Sequence, residues 1–199
     1  MADAEGTKVI TPEAILSYAR LDTPEQDKND EGIPTGKPKY SCALVFSPGT
    51  DLSELKRAAF NAAEAAFPGK AAEKFKNGSI KSPFRTDIGD RGYPEGSTFI
   101  NCRTVARPGC VYAHADPATG KAATVKLEDV KEVMYSGCIV RASVTAFYYD
   151  RKGNKGVSFA LGNLQKLREG DRLDSRRKAE DEFEADLSQA PADMSDLGI

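Results

Sequence analysis

The feature that most constrains the fold of this chain is the run from Tyr135 to Leu173, YSGCIVRASVTAFYYDRKGNKGVSFALGNLQKLREGDRL. Cys138, Val140, Ala142, Val144, Ala146 and Tyr148 recur at every second position, a small and mostly apolar set. That period predicts a long strand with one buried face, inside a barrel or a sandwich. The opposite face carries Ile139, Arg141, Ser143, Thr145, Phe147 and Tyr149, so a cation, two hydroxyls and two aromatic rings point away from the core together. Such a face suits nucleic acid, because rings stack on any base while guanidinium and hydroxyl groups hold phosphate. It equally suits an ordinary sheet with one solvated face, since single exposed aromatics are common.

The turn that follows, Asp150 to Gly156, has the Gly, Asp and Asn residues of a hairpin loop and three cations, Arg151, Lys152 and Lys155. Val157, Phe159 and Leu161 then alternate with Ser158, Ala160 and Gly162, as a partner strand should. Residues 163–173 are basic, punctuated by glycine and without a strong period.

Charge is distributed unevenly. The formal net charge of the 199 residues is −2, yet residues 179–199 hold seven acids and no Lys or Arg. Residues 35–178 hold 25 basic residues against 15 acidic ones, a net of +10. A cationic body with acidic ends is the balance expected of a protein that meets a polyanion. No apolar run approaches the roughly 20 residues that span a membrane, and the acidic N-terminus has neither the basic start nor the apolar core of a secretory signal. The length suits one well-cored domain plus tails.

Cys42, Cys102, Cys110 and Cys138 are widely spaced, without a CxxC pair, and His114 is the only histidine. That pattern favours buried free thiols in a reducing cytosol over zinc ligation. Asp87, Asp90 and Glu95 could in principle ligate Mg²⁺, but no Lys or His stands at a spacing that suggests a nuclease core. No Ser/His/Asp or Cys/His arrangement can be assembled, His114 reads as a surface residue, and neither a metal nor a cofactor is expected.

In chain order, residues 8–21 predict an early strand that the Thr11-Pro12-Glu13 interruption confines to an edge or a bulge. Residues 22–38, rich in Pro, Gly and Asp, predict a flexible loop. Lys39 to Phe46 alternates again and predicts a second strand. A helix follows, capped by Thr50 or Asp51 with Glu54 as capping-box partner, lined by Leu52, Leu55, Ala59, Ala62, Ala63 and Ala66, and ended by Pro68-Gly69. Residues 69–77 add one helical turn. Ser79 to Gly96 is irregular; its Lys81, Arg85 and Arg91 beside Phe84 and Tyr93 could clamp a nucleic-acid strand or simply form a solvated cover.

Ser97 to Val105 predicts a further strand, with Thr98, Ile100, Cys102 and Thr104 on one face and Phe99, Asn101, Arg103 and Val105 on the other. Its outer aromatic-and-cation pairing repeats that of Phe147 and Arg141, and in one sheet the two strands would combine their stacking platforms. A short strand and a turn over residues 108–121 precede the central unit. Many short strands, one main helix and frequent turns indicate a β-rich α+β domain, with a small closed or partly open barrel as first choice.

The run Tyr135 to Cys138, the strand after it, and Gly156 to Leu173 resemble a phage-encoded single-stranded-DNA-binding protein family with an OB-fold, related to phage replication single-strand binders. Lys37 to Ser41, Lys81 to Arg85 and Ser97 to Asn101 share the resemblance, which covers most of residues 8–185. It implies an OB-fold-like five-stranded barrel with one main helix and extended hairpins over residues 8–178, a flexible N-terminus over 1–7 and an acidic, disordered tail over 179–199.

The implied function is sequence-tolerant single-stranded DNA binding in phage replication, recombination or repair, in the host bacterial cytoplasm, without catalysis. Phe99, Phe147, Tyr149 and Tyr93 would stack on bases, while Arg103, Arg141, Arg151, Lys152, Lys155, Lys166 and Arg168 would track phosphates, with Lys81 and Arg85 contributing from the loop. In the tail, Phe183 among the acids and Asp196, Leu197 and Ile199 at the end resemble the apolar-tipped acidic tails of other single-strand binders, which compete with DNA and recruit replication or recombination partners. Plain disorder and solubility is the simpler account of such a tail. A structural or scaffold protein whose basic face meets an acidic protein partner is the alternative, a homo-oligomer is compatible with either, and RNA stays open because stacking faces do not by themselves read the 2′-hydroxyl.

Overall fold

The computed structural model describes residues 5–87, 92–151 and 153–173. The described strands are β1 (Lys8–Ile10), β2 (Ala14–Lys28), β3 (Pro34–Phe46), β4 (Thr98–Thr104), β5 (Cys110–Ala115), β6 (Ala122–Thr124), β7 (Ile139–Arg151) and β8 (Asn154–Arg168). The helices are α1 (Ser53–Ala66), α2 (Ala71–Lys76) and α3 (Val130–Val133).

Five strands close on themselves. β7 pairs with β2, β2 with β3, β3 with β4, β4 with β8, and β8 returns to β7. Every junction in this ring is antiparallel except β4–β8, where Cys102 and Arg103 lie parallel to Phe159 and Ala160. This closed Greek-key ring is the OB-fold barrel, and β1, β5 and β6 extend its sheet to eight strands. Closure satisfies backbone groups that an open sheet would leave at an edge.

Period-two patterning builds the interior. Leu16, Leu44, Phe46, Ile100, Val140, Val144, Phe159 and Leu164 are each at most 1% exposed, and α1 lays Leu55, Ala58, Ala59, Ala62 and Ala63 against β1, β7 and β8. The small alanines let helix and sheet approach closely. At the start of α1, Asp51 Oδ1 accepts a hydrogen bond from the Ser53 amide at 2.9 Å, in place of the expected capping box. Pro68-Gly69 ends the helix, as its residue types predict.

Three expectations need correction. Residues 22–38 are not an irregular loop: the arms of β2 and β3 run through them as a hairpin closed by Asn29, whose Oδ1 accepts the Glu31 and Ile33 amides at 3.1 and 2.8 Å. This arm is solvated and carries register shifts at Ser17/Arg20, Arg20/Glu25 and Glu25/Asp27, so no alternating apolar set marks it. Residues 8–21 form two strands rather than one. β1 and β2 follow each other along the same edge of β7, and Thr11 bridges the gap by accepting the Ala142 amide with its hydroxyl at 3.0 Å. Pro12 sits in that gap, where it removes no ladder bond.

Lastly, β8 does not end near Gly162. Ala142 faces Leu164 and Val144 faces Leu161, so two residues of β8 oppose one of β7 at a bulge. Gly162 occupies it because a Cβ there would lie 2.4 Å from Ser143 Oγ, and that same Oγ accepts the Asn163 amide at 2.8 Å. The bulge switches the parity of the strand: Val157, Phe159 and Leu161 point inward before it, Leu164 and Lys166 after it. A sequence period broken this way reads as no period at all.

Candidate nucleic-acid interface

Outward positions of β3 and β4 form the floor of two adjoining grooves. The first, about 410 Å³, runs from Tyr18 and Arg20 on β2 across Ser41 and Ala43 to Phe99 on β4, with Arg85 and Asp87 on its rim. The second, about 530 Å³, runs from Lys39 on β3 across Val105 to Phe147, Tyr149 and Arg151 on β7 and Asn154 on β8. Asn101 and Arg103 line both, which makes the two grooves one path across the barrel. Its borders are the β2–β3 and β7–β8 hairpins, the faces and loops with which OB-folds bind oligonucleotides.

The aromatic groups differ in how they are presented. Phe147 is 42% exposed and stands opposite Ser158, whose small side chain leaves its ring free on one side. Tyr149 pairs with Gly156 and lays its hydroxyl over it; a Cβ at that glycine would come within 2.7 Å. Tyr18 is 47% exposed and holds φ at 47°, a left-handed conformation in mid-strand at the first register shift of β2. Backbone strain of this kind collects at functional positions because it re-aims a side chain.

Phe99 differs. It occupies an outward position, as its parity predicts, yet is only 6% exposed because Tyr93 packs with it on Ala43 and Val45. Arg85 lies 5.5 Å above its ring, and the backbones of Arg85 and Phe99 exchange hydrogen bonds of 3.0 and 2.8 Å. Tyr93 itself is tied down through its hydroxyl, 2.5 Å from Ser17 Oγ. The loop that carries Lys81, Arg85 and Tyr93 therefore serves partly as a cover, bridging β8 at Gly156 and β4 at Phe99. Phe84 belongs to the core, edge-on to Phe159 at 6.0 Å.

Four cations of the path, Lys39, Arg103, Arg85 and Arg20, are paired with carboxylates of the same surface. Asp27 accepts Lys39 Nζ and Arg103 Nη1, each at 3.1 Å. The Lys39 hydrogen bond, aided by the Arg103 charge, holds the Asp27 carboxyl below the ordinary carboxylate range. Arg85 grips Asp87 with Nε at 3.0 Å and Nη2 at 2.5 Å, and that fork holds Asp87 low in the same way. Arg20 pairs with Glu25, whereas Lys155, 3.3 Å from Asp150, lies on the opposite face of the β7–β8 hairpin, because both residues alternate with Tyr149, Arg151 and Asn154 of the groove.

Three further expected phosphate ligands stand elsewhere. Lys166 is 8% exposed on the inner side of β8, where Nζ contacts Glu169 at 2.6 Å and lies 5.1 Å from the Tyr135 ring. The parity switch at Gly162 puts it there. Arg141 is exposed on the outer face, but six residues along β7 from Phe147, roughly 20 Å, with Nε donating to Gln165 Oε1 at 2.7 Å. Arg168 pairs with Glu13 at 2.6 Å, away from the path.

Lys152, Asp90, Arg91 and the tail residues Phe183, Asp196, Leu197 and Ile199 lie outside the described residues. So does the boundary expected at residue 178. Conversely, Tyr18, Arg20, Lys39, Ser41 and Asn154 join the surface without having been singled out. Only the hairpins bring them to it.

The four cysteines are buried free thiols, Cys42 and Cys102 directly opposite one another on β3 and β4. Burial pushes Cys42 and Cys138 up to about 12 and Cys110 up to about 11. His114 stacks on Tyr112 with ring centres 4.8 Å apart. Among the described residues no group of three or more His, Cys, Asp or Glu is placed to hold a metal ion.

Comparison with known proteins agrees with this architecture. The chain superposes on the single-stranded DNA-binding protein of bacteriophage Enc34, in its complex with ssDNA, with a TM-score of 0.61 at 18% identity over 84% of this chain and 90% of that one. It superposes on gp2.5 of bacteriophage T7, a single-stranded DNA binding protein, with a TM-score of 0.55 at 15% identity over 86% of this chain and 97% of that one. At these identities the likeness establishes the fold. Protein p50 of Acyrthosiphon pisum secondary endosymbiont phage 1 is 29% identical over 182 residues, 88% of this chain and 94% of the relative. The family described as Enterobacter phage Enc34, ssDNA-binding protein, matches residues 7–195, nearly the whole chain, and the protein belongs to that family.

Proposed function

We propose that the chain binds single-stranded DNA with little sequence preference, during phage replication, recombination or repair in the host cytoplasm. The observation that carries this reading is the continuous path from Tyr18 to Phe147, joined at Asn101 and Arg103. Bases stack on Phe147, Tyr149 and Tyr18, and phosphates meet Arg103, Arg151, Lys39 and Arg20. Phe99 and Arg85 line the smaller groove with Tyr93 packed against Phe99, Lys81 holds the covering loop to β8, and in chain order Lys152 adds a cation between β7 and β8. Family membership and the ssDNA complex of the Enc34 protein support the choice of ligand. Duplex is disfavoured because paired bases cannot reach rings on a barrel face.

The path crosses four inter-strand spacings, roughly 19 Å, which suits the low end of the 4–16 nucleotides an OB-fold covers. The acidic tail, with Phe183, Asp196, Leu197 and Ile199, competes for the cationic path and offers partners an apolar tip.

Anisotropy of a labelled oligo-dT of about 30 nucleotides, followed at two salt concentrations with unlabelled duplex as competitor, tests the reading. Saturable binding that duplex fails to displace is expected, with a log–log salt slope near −0.7 per phosphate neutralised. Absence of binding at low salt, in the full chain and in a chain ending at Lys178 alike, would overturn it.

A further inference from the structure

Asp27 stands at the joint of the path and meets two cations from two other positions of the barrel. Its Oδ2 accepts Lys39 from β3 and its Oδ1 accepts Arg103 from β4, each at 3.1 Å. Both cations line the larger groove, and Arg103 lines the smaller one as well. Two anionic oxygens, each held by a separate cation over the floor of the groove, reproduce the way a phosphate would be gripped there.

Resting on the single-strand reading above, we propose that the Asp27 carboxylate is an internal stand-in for a nucleic-acid phosphate, holding Arg103 and Lys39 at the joint of the groove until a strand displaces it. Three features make displacement feasible. The Asp27 side chain is 43% exposed and Arg103 57%, so that pair is solvated and exchanges readily, while Lys39, at 20%, is partly covered. The arm that carries it changes register between Glu25 and Asp27, and is solvated rather than packed into the core. This part of the arm is tied to β3 without the carboxylate: Asp27 faces Thr35 in the ladder, its carbonyl accepts Thr35 Oγ1 at 3.2 Å and Gln26 Nε2 donates to the Gly36 carbonyl at 2.6 Å, so the arm stays anchored when the carboxylate leaves its cations.

The stand-in sets a threshold. A phosphate alone merely exchanges for a carboxylate, with little gained, so affinity depends on the stacking that only unpaired bases supply. Arg20 with Glu25 and Arg85 with Asp87 repeat the arrangement along the path, but each of those carboxylates serves one cation. Asp27 also stays charged at neutral pH, since its two partners hold its carboxyl below the ordinary range.

The test compares the full chain with Asp27→Asn and with Asp30→Asn, which removes the same charge at the exposed tip of the hairpin. Each is titrated with labelled oligo-dT of about 30 nucleotides over a salt series. Asp27→Asn is expected to bind about three- to tenfold more tightly, the equivalent of losing two ion pairs. Its log–log salt slope is expected to steepen by about 0.7 as a cation is freed for phosphate. Asp30→Asn is expected to change affinity by less than about twofold, as a distant screened charge should. Unchanged or weaker binding by Asp27→Asn, or equal tightening by Asp30→Asn, overturns the stand-in. A full chain that binds no oligonucleotide at all overturns the single-strand reading and the stand-in with it, an outcome distinct from the other two.

Discussion

Phe99 and Phe147 both occupy outward positions, but Tyr93 and Arg85 close over the first while the second stands open beside Ser158. Phe147→Ala should therefore weaken oligo-dT binding by about 1–3 kcal/mol, the usual worth of a stacked base, with the melting temperature unchanged because the ring supports no core contact. Lys166→Ala should do the reverse. Removing a nearly buried ammonium that bonds Glu169 and faces the Tyr135 ring leaves a gap at the end of the barrel. A loss of about 1–3 kcal/mol in denaturant stability is expected, with oligonucleotide affinity per folded molecule intact. An affinity loss without destabilisation would put Lys166 back in the interface.

At the scale of elements, the β7–β8 hairpin depends on its bulge. Gly162→Ala drives a Cβ into Ser143 Oγ and to 2.9 Å from the Ser143 carbonyl oxygen, so a cost of about 1–3 kcal/mol is expected in chemical denaturation. The barrel interior makes a separate prediction through its thiols. In the folded chain desolvation holds Cys42, Cys138 and Cys110 protonated up to about 12, 12 and 11, against an ordinary value of 9.0. Folded-state values raised above the unfolded ones mean that the contribution is fully present below pH 9 and is lost as pH climbs towards 11–12. The melting temperature should accordingly fall above pH 9, and Ellman's reagent at pH 8 should label no cysteine until denaturant is added. Rapid native labelling would mean that the barrel opens readily.

For the whole molecule, the acidic segment 179–199 and the cationic body 35–178 are opposite charges on one chain. If tail and strand compete for the same cations, as proposed, a chain ending at Lys178 should bind oligo-dT more tightly at low salt, with the gain shrinking as salt rises. Equal affinity with and without the tail would reduce it to a solubilising extension. No helix among the described residues is long and apolar enough to cross a membrane.

Much of this was legible from residue order alone. Period-two alternation located the inner faces of β4 and β7, where Ile100, Cys102, Val140 and Val144 are buried as their spacing requires, and the alanine stripe before Pro68-Gly69 located α1. Those signals are local: burial on one face leaves a mark at every second or every third and fourth residue. The β2–β3 arm left no such mark because water reaches it, and the second half of β8 lost its mark at one extra residue beside Ser143. The interface lay further still from the sequence. Tyr18, Lys39, Arg103 and Phe147 are far apart along the chain, and closing the ring of β7, β2, β3, β4 and β8 is what brings them onto one path. Residue types and their order supply the chemistry, rings and cations on a strand-rich body with acidic ends; the closed barrel selects which of them face the groove, because cover, parity and ion pairing depend on neighbours that chain order does not specify.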